Sequence, residues 1–109
     1  MQLLTEELRA FLPPLYSQEK TNDPHIYAKF FTPDSNWTWF VIEGSPDEDD
    51  FIFFGYVFGH FEELGYFSLN ELESVCGCMT QSIERDLNFK PGPWSEVRAR
   101  HKQERGEQD

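Results

Sequence analysis

The stretch that decides the fold is residues 37–67, WTWFVIEGSPDEDDFIFFGYVFGHFEELGYF. Aromatic and β-branched residues, which favour strands, fill the runs 37–42, 51–60 and 62–67. The middle run is apolar on both faces, which is typical of a strand inside a sheet. Between the first two runs, Glu43–Asp50 contains a glycine and a proline, and it is predicted to be an acidic hairpin loop. The three runs are therefore predicted to be consecutive strands of an antiparallel meander.

Further elements are predicted on both sides of this stretch. His25–Phe31 is predicted to be an earlier strand, with Ile26, Ala28 and Phe30 on one face because side chains alternate along a strand. Residues 83–90 are predicted to return as an edge strand.

Three helices are predicted from caps and spacing. Thr5 can cap a helix over Thr5–Leu12, and Ser68 with Glu71 forms a capping box that predicts a second helix after the meander. Residues 94–102 predict a third helix.

These elements predict an α+β fold, in which an antiparallel sheet of four to five strands carries an N-terminal helix and one or two further short helices. A single domain is predicted over residues 1–97, and the polar C-terminal tail 98–109 is predicted to fray. The predicted core contains Phe40, Ile52, Phe54 and Phe58.

The charge of the chain is strongly negative, with a formal net charge of −11. Residues 30–84 contain no lysine and no arginine, yet they hold eleven carboxylates and thirteen of the eighteen aromatic residues. This pattern predicts an aromatic core under an anionic surface, which repels phosphates and attracts basic surfaces. A basic protein surface is therefore the expected partner, and direct binding to nucleic acid is not expected.

The location expected from the sequence is the cytoplasm. The first residues lack the basic leader and apolar run of a signal peptide, and no apolar stretch approaches the roughly 18 residues of a membrane span. Cys76 and Cys78 are too close in sequence for an easy disulfide, and a zinc site needs four ligands. No catalytic residue, metal site or cofactor is predicted, because the chain has no phosphate-binding glycine loop and no nucleophile elbow.

Two groups of residues are candidates for partner binding. Asp47, Glu48, Asp49 and Asp50 in the acidic loop are interpreted as a docking surface for a basic partner, a solvated hairpin tip or a cation site without EF-hand spacing. Trp37 and Trp39 alternate on one strand face and are interpreted either as core packing or as a protein-contact patch.

Four segments resemble a bacterial domain-of-unknown-function family, number 2958. They are YAKFFTP with NWTW at residues 27–33 and 36–39, LGYFSL with ELESV at 64–69 and 71–75, IERDL with FKP at 83–87 and 89–91, and PPLY at 13–16. The similarity runs from Leu3 to Val97, and Cys76-Gly77-Cys78-Met79 departs from the turn that the family pattern leads one to expect. Such domains resemble cargo of plasmids, integrative elements and phages, often near anti-restriction or conjugation genes. The resemblance supplies no catalytic residue.

Charge and resemblance together lead to one main hypothesis and two alternatives. The main hypothesis is an acidic, mobile-element-borne protein that binds a basic, nucleic-acid-handling host protein stoichiometrically, as an anti-restriction or anti-CRISPR-like counter-defence factor. One alternative is a small metal-dependent hydrolase that uses Glu62 and Glu63 or the acids of residues 47–50. The other is an accessory domain of polyvalent mobile-element proteins. The sequence leaves the oligomeric state open, a homodimer included.

Overall fold

A computed structural model gives the structure of residues 3–33, 37–74 and 83–106. The helices are α1 (Glu6–Phe11), α2 (Leu69–Ser74) and α3 (Trp94–Glu104). The strands are β1 (His25–Ile26), β2 (Ala28–Phe31), β3 (Thr38–Asp47), β4 (Asp50–Phe58), β5 (Glu62–Ser68), β6 (Glu84–Arg85) and β7 (Gly92–Pro93).

The fold is the predicted α+β fold with an antiparallel sheet. Five strands form the main sheet in the order β5-β4-β3-β2-β6, and β1 pairs with β7 in a second, two-stranded sheet. The meander β2-β3-β4-β5 is confirmed, and β4 is an interior strand, paired on both sides.

The acidic loop is much shorter than predicted. Strand β3 continues to Asp47 and pairs with Asp50, so only Glu48 and Asp49 form the turn. Glu48 has φ 53°, in the left-handed region that two-residue hairpin turns use. The prediction of a loop over Glu43–Asp50 was wrong because most of these residues are held in strand pairs.

The predicted strand His25–Phe31 is divided in two at Tyr27. Ile26 is buried with residues of one sheet face, whereas Ala28 and Phe30 are buried with residues of the other. The prediction that these three share a face was therefore wrong. Strand β1 leaves the main sheet to pair with β7, and this change of partner explains the switch.

One face of the main sheet, the covered face, is sealed by helices α1 and α2 and by the N-terminal segment. Its central residue is Phe53, which is fully buried and in ring contact with Phe30, Phe51 and Phe67 at centroid distances of 5.5, 5.1 and 5.5 Å. The helices and the N-terminal segment contribute Leu3, Leu4, Leu8, Leu12 and Leu72 to this cluster.

The opposite face of the sheet is only partly covered. Helix α3 packs Trp94 and Val97 against Phe40 and Phe58. Beyond Trp94, towards the edge strand β5, this face stays open: Leu64 is 52% exposed and Tyr66 is 56% exposed. We call this incompletely covered region, which holds Ile52, Phe54, Tyr56, Leu64 and Tyr66, the open half-face.

The core prediction is therefore confirmed for Phe40 and Phe58 and wrong for Ile52 and Phe54. Phe40 and Phe58 are 1% and 5% exposed, whereas Ile52 and Phe54 are half-buried. Phe54 is only partly buried against the cluster around Trp94, and Ile52 belongs to neither buried cluster, which explains the difference.

The predicted helix caps are confirmed. The Thr5 hydroxyl accepts a hydrogen bond from the Leu8 amide at 3.1 Å, and the Ser68 hydroxyl accepts one from the Glu71 amide at 3.0 Å. These bonds satisfy backbone N–H groups that have no partner inside the helix.

The C-terminal helix is longer than predicted. Helix α3 ends at Glu104, two residues beyond the predicted helix of residues 94–102, and His101 is buried between the rings of Phe40 and Phe58. That packing anchors the last turns to the body. In the part of the chain that the structure describes, the longest helix is α3 with 11 residues, and none of the helices could span a membrane.

Candidate functional site

The predicted acidic residues have two different roles. Asp47, Glu48 and Asp49 are exposed at the tip of the β3–β4 hairpin. Asp50 instead accepts hydrogen bonds from the Asn70 amide at 2.9 Å and the Phe51 amide at 2.7 Å. The bond from the Asn70 amide is the main reason that the pKa of the Asp50 carboxyl lies below its ordinary value. Asp50 therefore ties the hairpin to the start of α2.

The two predicted tryptophans do not form an open platform. Their rings stack at a centroid distance of 6.0 Å, but Trp39 is only 9% exposed and belongs to the covered face. Trp37 is 38% exposed and lies against Gly59, where an added Cβ would approach the indole to 2.4 Å. Trp37 alone is therefore accessible to a partner.

The predicted binding residues also lie far apart. Trp37 precedes the first residue of β3, and Asp47 ends the strand, so the two are separated by about 30 Å of extended chain. The structure does not bring the acidic hairpin and the tryptophans into one site.

A different group of residues forms a concave site on the open half-face. We call it the tyrosine cleft, and its walls and floor include Tyr16, Glu43, Phe54, Tyr56, Leu64 and Tyr66. Its volume is about 230 Å³. Sequence reasoning missed this cleft because its residues come from four separate segments of the chain.

Strand register builds the floor of the cleft. Phe54 on β4 pairs with Glu43 on β3 and with Tyr66 on β5, so these three side chains form a row across the sheet. Tyr56 pairs with Leu64 in the next row. The other edge of the floor is closed by Trp94, whose ring stacks on Tyr56 at 4.0 Å with an interplanar angle of 5°.

The segment that connects α1 to β1 builds the wall. Tyr16 in this segment points its ring at Tyr66, with the centroids 6.4 Å apart. The segment is fixed to β3 by hydrogen bonds: the Leu15 amide donates to the Ser45 hydroxyl at 2.9 Å, and the Gly44 amide donates to the Pro13 carbonyl at 3.0 Å.

A buried carboxylate holds the wall in place. Glu43 is 2% exposed, and its carboxylate accepts hydrogen bonds from the Tyr16 amide at 2.8 Å and from the Gln18 amide. These two donors compensate part of the cost of burying the carboxylate. Glu43, predicted to lie in a solvated loop, is instead the residue that organises the cleft.

Tyr16 is held in a strained backbone conformation. Its φ is 74°, in the left-handed region that costs a residue with a Cβ about 1–2 kcal/mol. Strain of this kind persists where surrounding contacts impose it, and it is concentrated at functional sites. The bonds to Glu43 are the contacts that impose it here.

The electrostatics of the cleft disfavour additional negative charge. A hydrogen bond with Tyr16 is the main cause that raises the pKa of Tyr66, and the charges of Glu43 and Glu19 add to it. Burial is the main cause that raises the pKa of Tyr56, and the charges of Glu62 and Asp23 add to it. Both phenols are therefore kept neutral in a negative field.

The acidic side chains among the described residues do not form a metal-binding cluster. Within residues 3–33, 37–74 and 83–106, no group of three or more His, Cys, Asp or Glu side chains is placed to hold a metal ion. Glu62 is paired with Arg98, with Nε and Oε1 3.1 Å apart, and Glu63 is exposed on the edge strand. Cys76 and Cys78 lie outside the described residues, as does Gly77 between them.

Comparison with known proteins identifies a family. No curated protein and no solved structure matches the chain. The sequence profile of DUF2958, described as a protein of unknown function, matches residues 3–106, which include the tyrosine cleft and the hairpin. The chain therefore belongs to the DUF2958 family.

Proposed function

We propose that this chain is a binding protein that docks stoichiometrically on a basic surface of another protein. The observation that carries the proposal is the open half-face, where exposed aromatic side chains lie beside carboxylates. Tyr66 and, in the wall of the cleft, Tyr16 are more than half exposed there, and Glu43 and Glu19 line the same cleft. Aromatic residues are enriched at protein interfaces, and negative charge selects a basic partner.

The acidic hairpin supports the same partner chemistry. Its exposed carboxylates Asp47, Glu48 and Asp49 have no lysine or arginine near them in sequence, since residues 30–84 contain neither. Exposed charges of one sign speed the encounter with an oppositely charged surface more than they tighten the complex. We propose that the hairpin speeds the electrostatic encounter with the partner and that the open half-face makes the direct contact with it.

The proposed partner is a nucleic-acid-handling protein of the host. Such proteins carry basic surfaces that bind phosphates, and an anionic protein can occupy them. Together with the resemblance to mobile-element cargo, this chemistry leads us to propose counter-defence, of the anti-restriction or anti-CRISPR type, as the biological role. No contact among the described residues favours the metal-dependent hydrolase or the accessory-domain alternative.

The test is recovery of partners from a bacterial lysate with the tagged chain as bait, at about 50 mM and about 500 mM salt. Three baits are compared. They are the parent, a hairpin variant (Asp47→Asn, Glu48→Gln, Asp49→Asn) and a control with the same loss of charge elsewhere (Glu6→Gln, Glu7→Gln, Glu96→Gln).

We expect the parent and the control to retain a basic protein at low salt, in a defined molar ratio. The hairpin variant should retain less of it, and high salt should release it, because salt screens exposed charges. A parent bait that retains no basic protein at low salt would overturn the proposal. Equal losses with the hairpin variant and the control would assign the effect to net charge and remove the steering role.

A further inference from the structure

We infer that the tyrosine cleft receives a single arginine side chain from the partner. The inference rests on the proposed function, and it adds the chemical group that the open half-face recognises.

Size limits the occupant. The cleft measures about 230 Å³, which is below the roughly 300–1,000 Å³ of pockets that hold a whole small molecule or cofactor. One long side chain fits this space, whereas a nucleotide does not. An occupant that belongs to a docked protein also explains why the cleft opens on an exposed aromatic surface.

The lining selects a cation. Among the described residues, the cleft is lined by two carboxylates, those of Glu19 and Glu43, and by no lysine or arginine. The rings of Tyr16, Phe54, Tyr56 and Tyr66 surround the same space. Aromatic faces attract cations, and this attraction grows when the cation is shielded from water.

The geometry favours arginine over lysine. A guanidinium is planar, stacks on aromatic rings and offers five N–H donors in a fixed fork, whereas a lysine ammonium is a strongly hydrated point charge. A carboxylate has about four acceptor positions, and the Tyr16 and Gln18 amides use two of those of Glu43. The remaining positions of Glu43 and the two phenol oxygens of Tyr16 and Tyr66 are suitable acceptors for the fork.

The wall is already in place without the occupant. The segment of Tyr16 is tied to β3 by the bonds to Glu43 and Ser45, and Gln18 adds bonds to the Ile42 carbonyl at 3.2 Å and from the His25 amide at 2.9 Å. A receptor that is ordered beforehand loses little entropy on binding. The strained φ of Tyr16 is then the conformation that binding requires.

The experiment is a titration of the isotope-labelled chain, followed by NMR chemical shifts, with three blocked pentapeptides. They are identical except for the central residue, which is arginine, lysine or citrulline, the neutral isostere of arginine. The variants are Tyr66→Leu, Tyr66→Phe and, as a matched control, Phe11→Leu. Phe11 is an exposed aromatic on α1, 74% exposed, and it does not line the cleft.

The expected result is that the arginine peptide shifts amides around Tyr16 and Tyr66 and binds about threefold tighter than the lysine peptide. Citrulline should bind roughly tenfold more weakly than arginine, and Tyr66→Leu should weaken arginine binding by a similar factor. Tyr66→Phe keeps the aromatic face and should retain most of the binding. Phe11→Leu should bind as the parent does.

Other outcomes overturn the inference. If the arginine and lysine peptides bind equally and Tyr66→Leu has no effect, the cleft does not recognise arginine. The proposed function would still stand in that case, provided that basic peptides bind the parent. If the citrulline peptide binds as tightly as the arginine peptide, the positive charge of the side chain does not contribute to recognition. If no basic peptide binds the parent at low salt, both the inference and the proposed function fail.

Discussion

The two faces of the main sheet are built from the same strands but are buried to different degrees. Along β4, Phe51 and Phe53 point to the covered face and are 2% and 0% exposed, whereas the alternating Ile52, Phe54 and Tyr56 are only half-buried. Helices and the N-terminal segment seal the first face, and α3 covers only part of the second. One strand therefore supplies the buried core through one set of positions and, in our proposal, a binding surface through the next.

The largest expected effect is a difference in stability between substitutions on the covered face and substitutions on the open half-face. Phe53→Ala leaves a cavity among fully buried rings and should lower the free energy of unfolding by about 3–5 kcal/mol. Phe54→Ala removes a half-buried ring beside the cleft and should cost about 1–2 kcal/mol, since less apolar surface returns to water. Urea denaturation of both variants measures the difference, and equal costs would show that the half-face is not open in solution.

The second effect concerns the buried carboxylate under the cleft. Glu43→Ala removes the acceptor for the Tyr16 and Gln18 amides, and hydrogen bonds to charged groups are worth about 1.5–3 kcal/mol. We expect a loss of about 2–4 kcal/mol in the free energy of unfolding, with faster proteolysis in the segment that carries Tyr16. Glu19→Ala, which changes an exposed acid of the same cleft, should change stability by less than about 0.5 kcal/mol. Equal stability of the two variants would refute the organising role of Glu43.

The third effect tests the strain at Tyr16. Tyr16→Gly relieves the left-handed backbone, and Tyr16→Ala removes the ring but keeps the Cβ and the strain. The glycine variant should be about 1 kcal/mol more stable than the alanine variant in thermal or urea unfolding. Both should lose binding of the arginine peptide. An alanine variant as stable as the glycine variant would contradict a strained Tyr16.

The fourth effect is a pH dependence on the alkaline side. The pKa values of Tyr56 and Tyr66 are raised above the ordinary 10.0, so the folded chain holds these protons more tightly than the unfolded chain does. Their contribution to stability is complete below pH 10.0 and is lost as the pH rises from there through the raised values. Tyrosinate absorbance should show two late-titrating groups, which Tyr56→Phe and Tyr66→Phe remove one at a time. Titration of both at their ordinary value would contradict the geometry of the cleft.

The smallest effect on stability is expected at the hairpin tip, Asp47–Asp49, and a larger one at Asp50, at the base of the hairpin. Neutralising Asp47, Glu48 and Asp49 should leave the free energy of unfolding nearly unchanged and should slow association with a basic partner at low salt by roughly threefold to tenfold. Asp50→Asn should instead lower stability, since Asp50 accepts bonds from the Asn70 and Phe51 amides.

Asp50 and the hairpin tip should also differ in how the free energy of unfolding depends on pH in the acid range. The pKa of Asp50 is lowered from 3.8, so its contribution is present above that pH and is lost as the pH falls below it. Asp50→Asn should flatten this acid loss in urea denaturation between about pH 5 and 2, and the variant of residues 47–49 should not. A tip variant that flattens the acid loss as strongly as Asp50→Asn would contradict the division of roles.

Local signals in the sequence predicted the elements and the sheet. The capping bonds of Thr5 and Ser68, the meander and its interior strand depend on patterns within a few residues, which periodicity and turn chemistry report. The family was also identifiable from short segments.

What could not be predicted depends on contacts between distant segments. Burial of Ile52 and Phe54 was expected because apolar residues on a strand need cover, but the extent of the cover depends on where α3 docks. The cleft needs the register of β3, β4 and β5 together with the path of the segment carrying Tyr16. Glu43 was placed in a solvated loop because a buried carboxylate is rare unless donors from elsewhere satisfy it.

The most direct test of the proposed binding face is a map of where a basic polypeptide touches the chain. Polyarginine is titrated at low salt into the ¹⁵N-labelled protein, and amide shifts are followed residue by residue. We expect the shifts to concentrate on the segment carrying Tyr16, on residues 43–56 and 62–68, and to weaken as salt rises. Shifts confined to α1 and α2, or no shifts at low salt, would contradict docking through the open half-face.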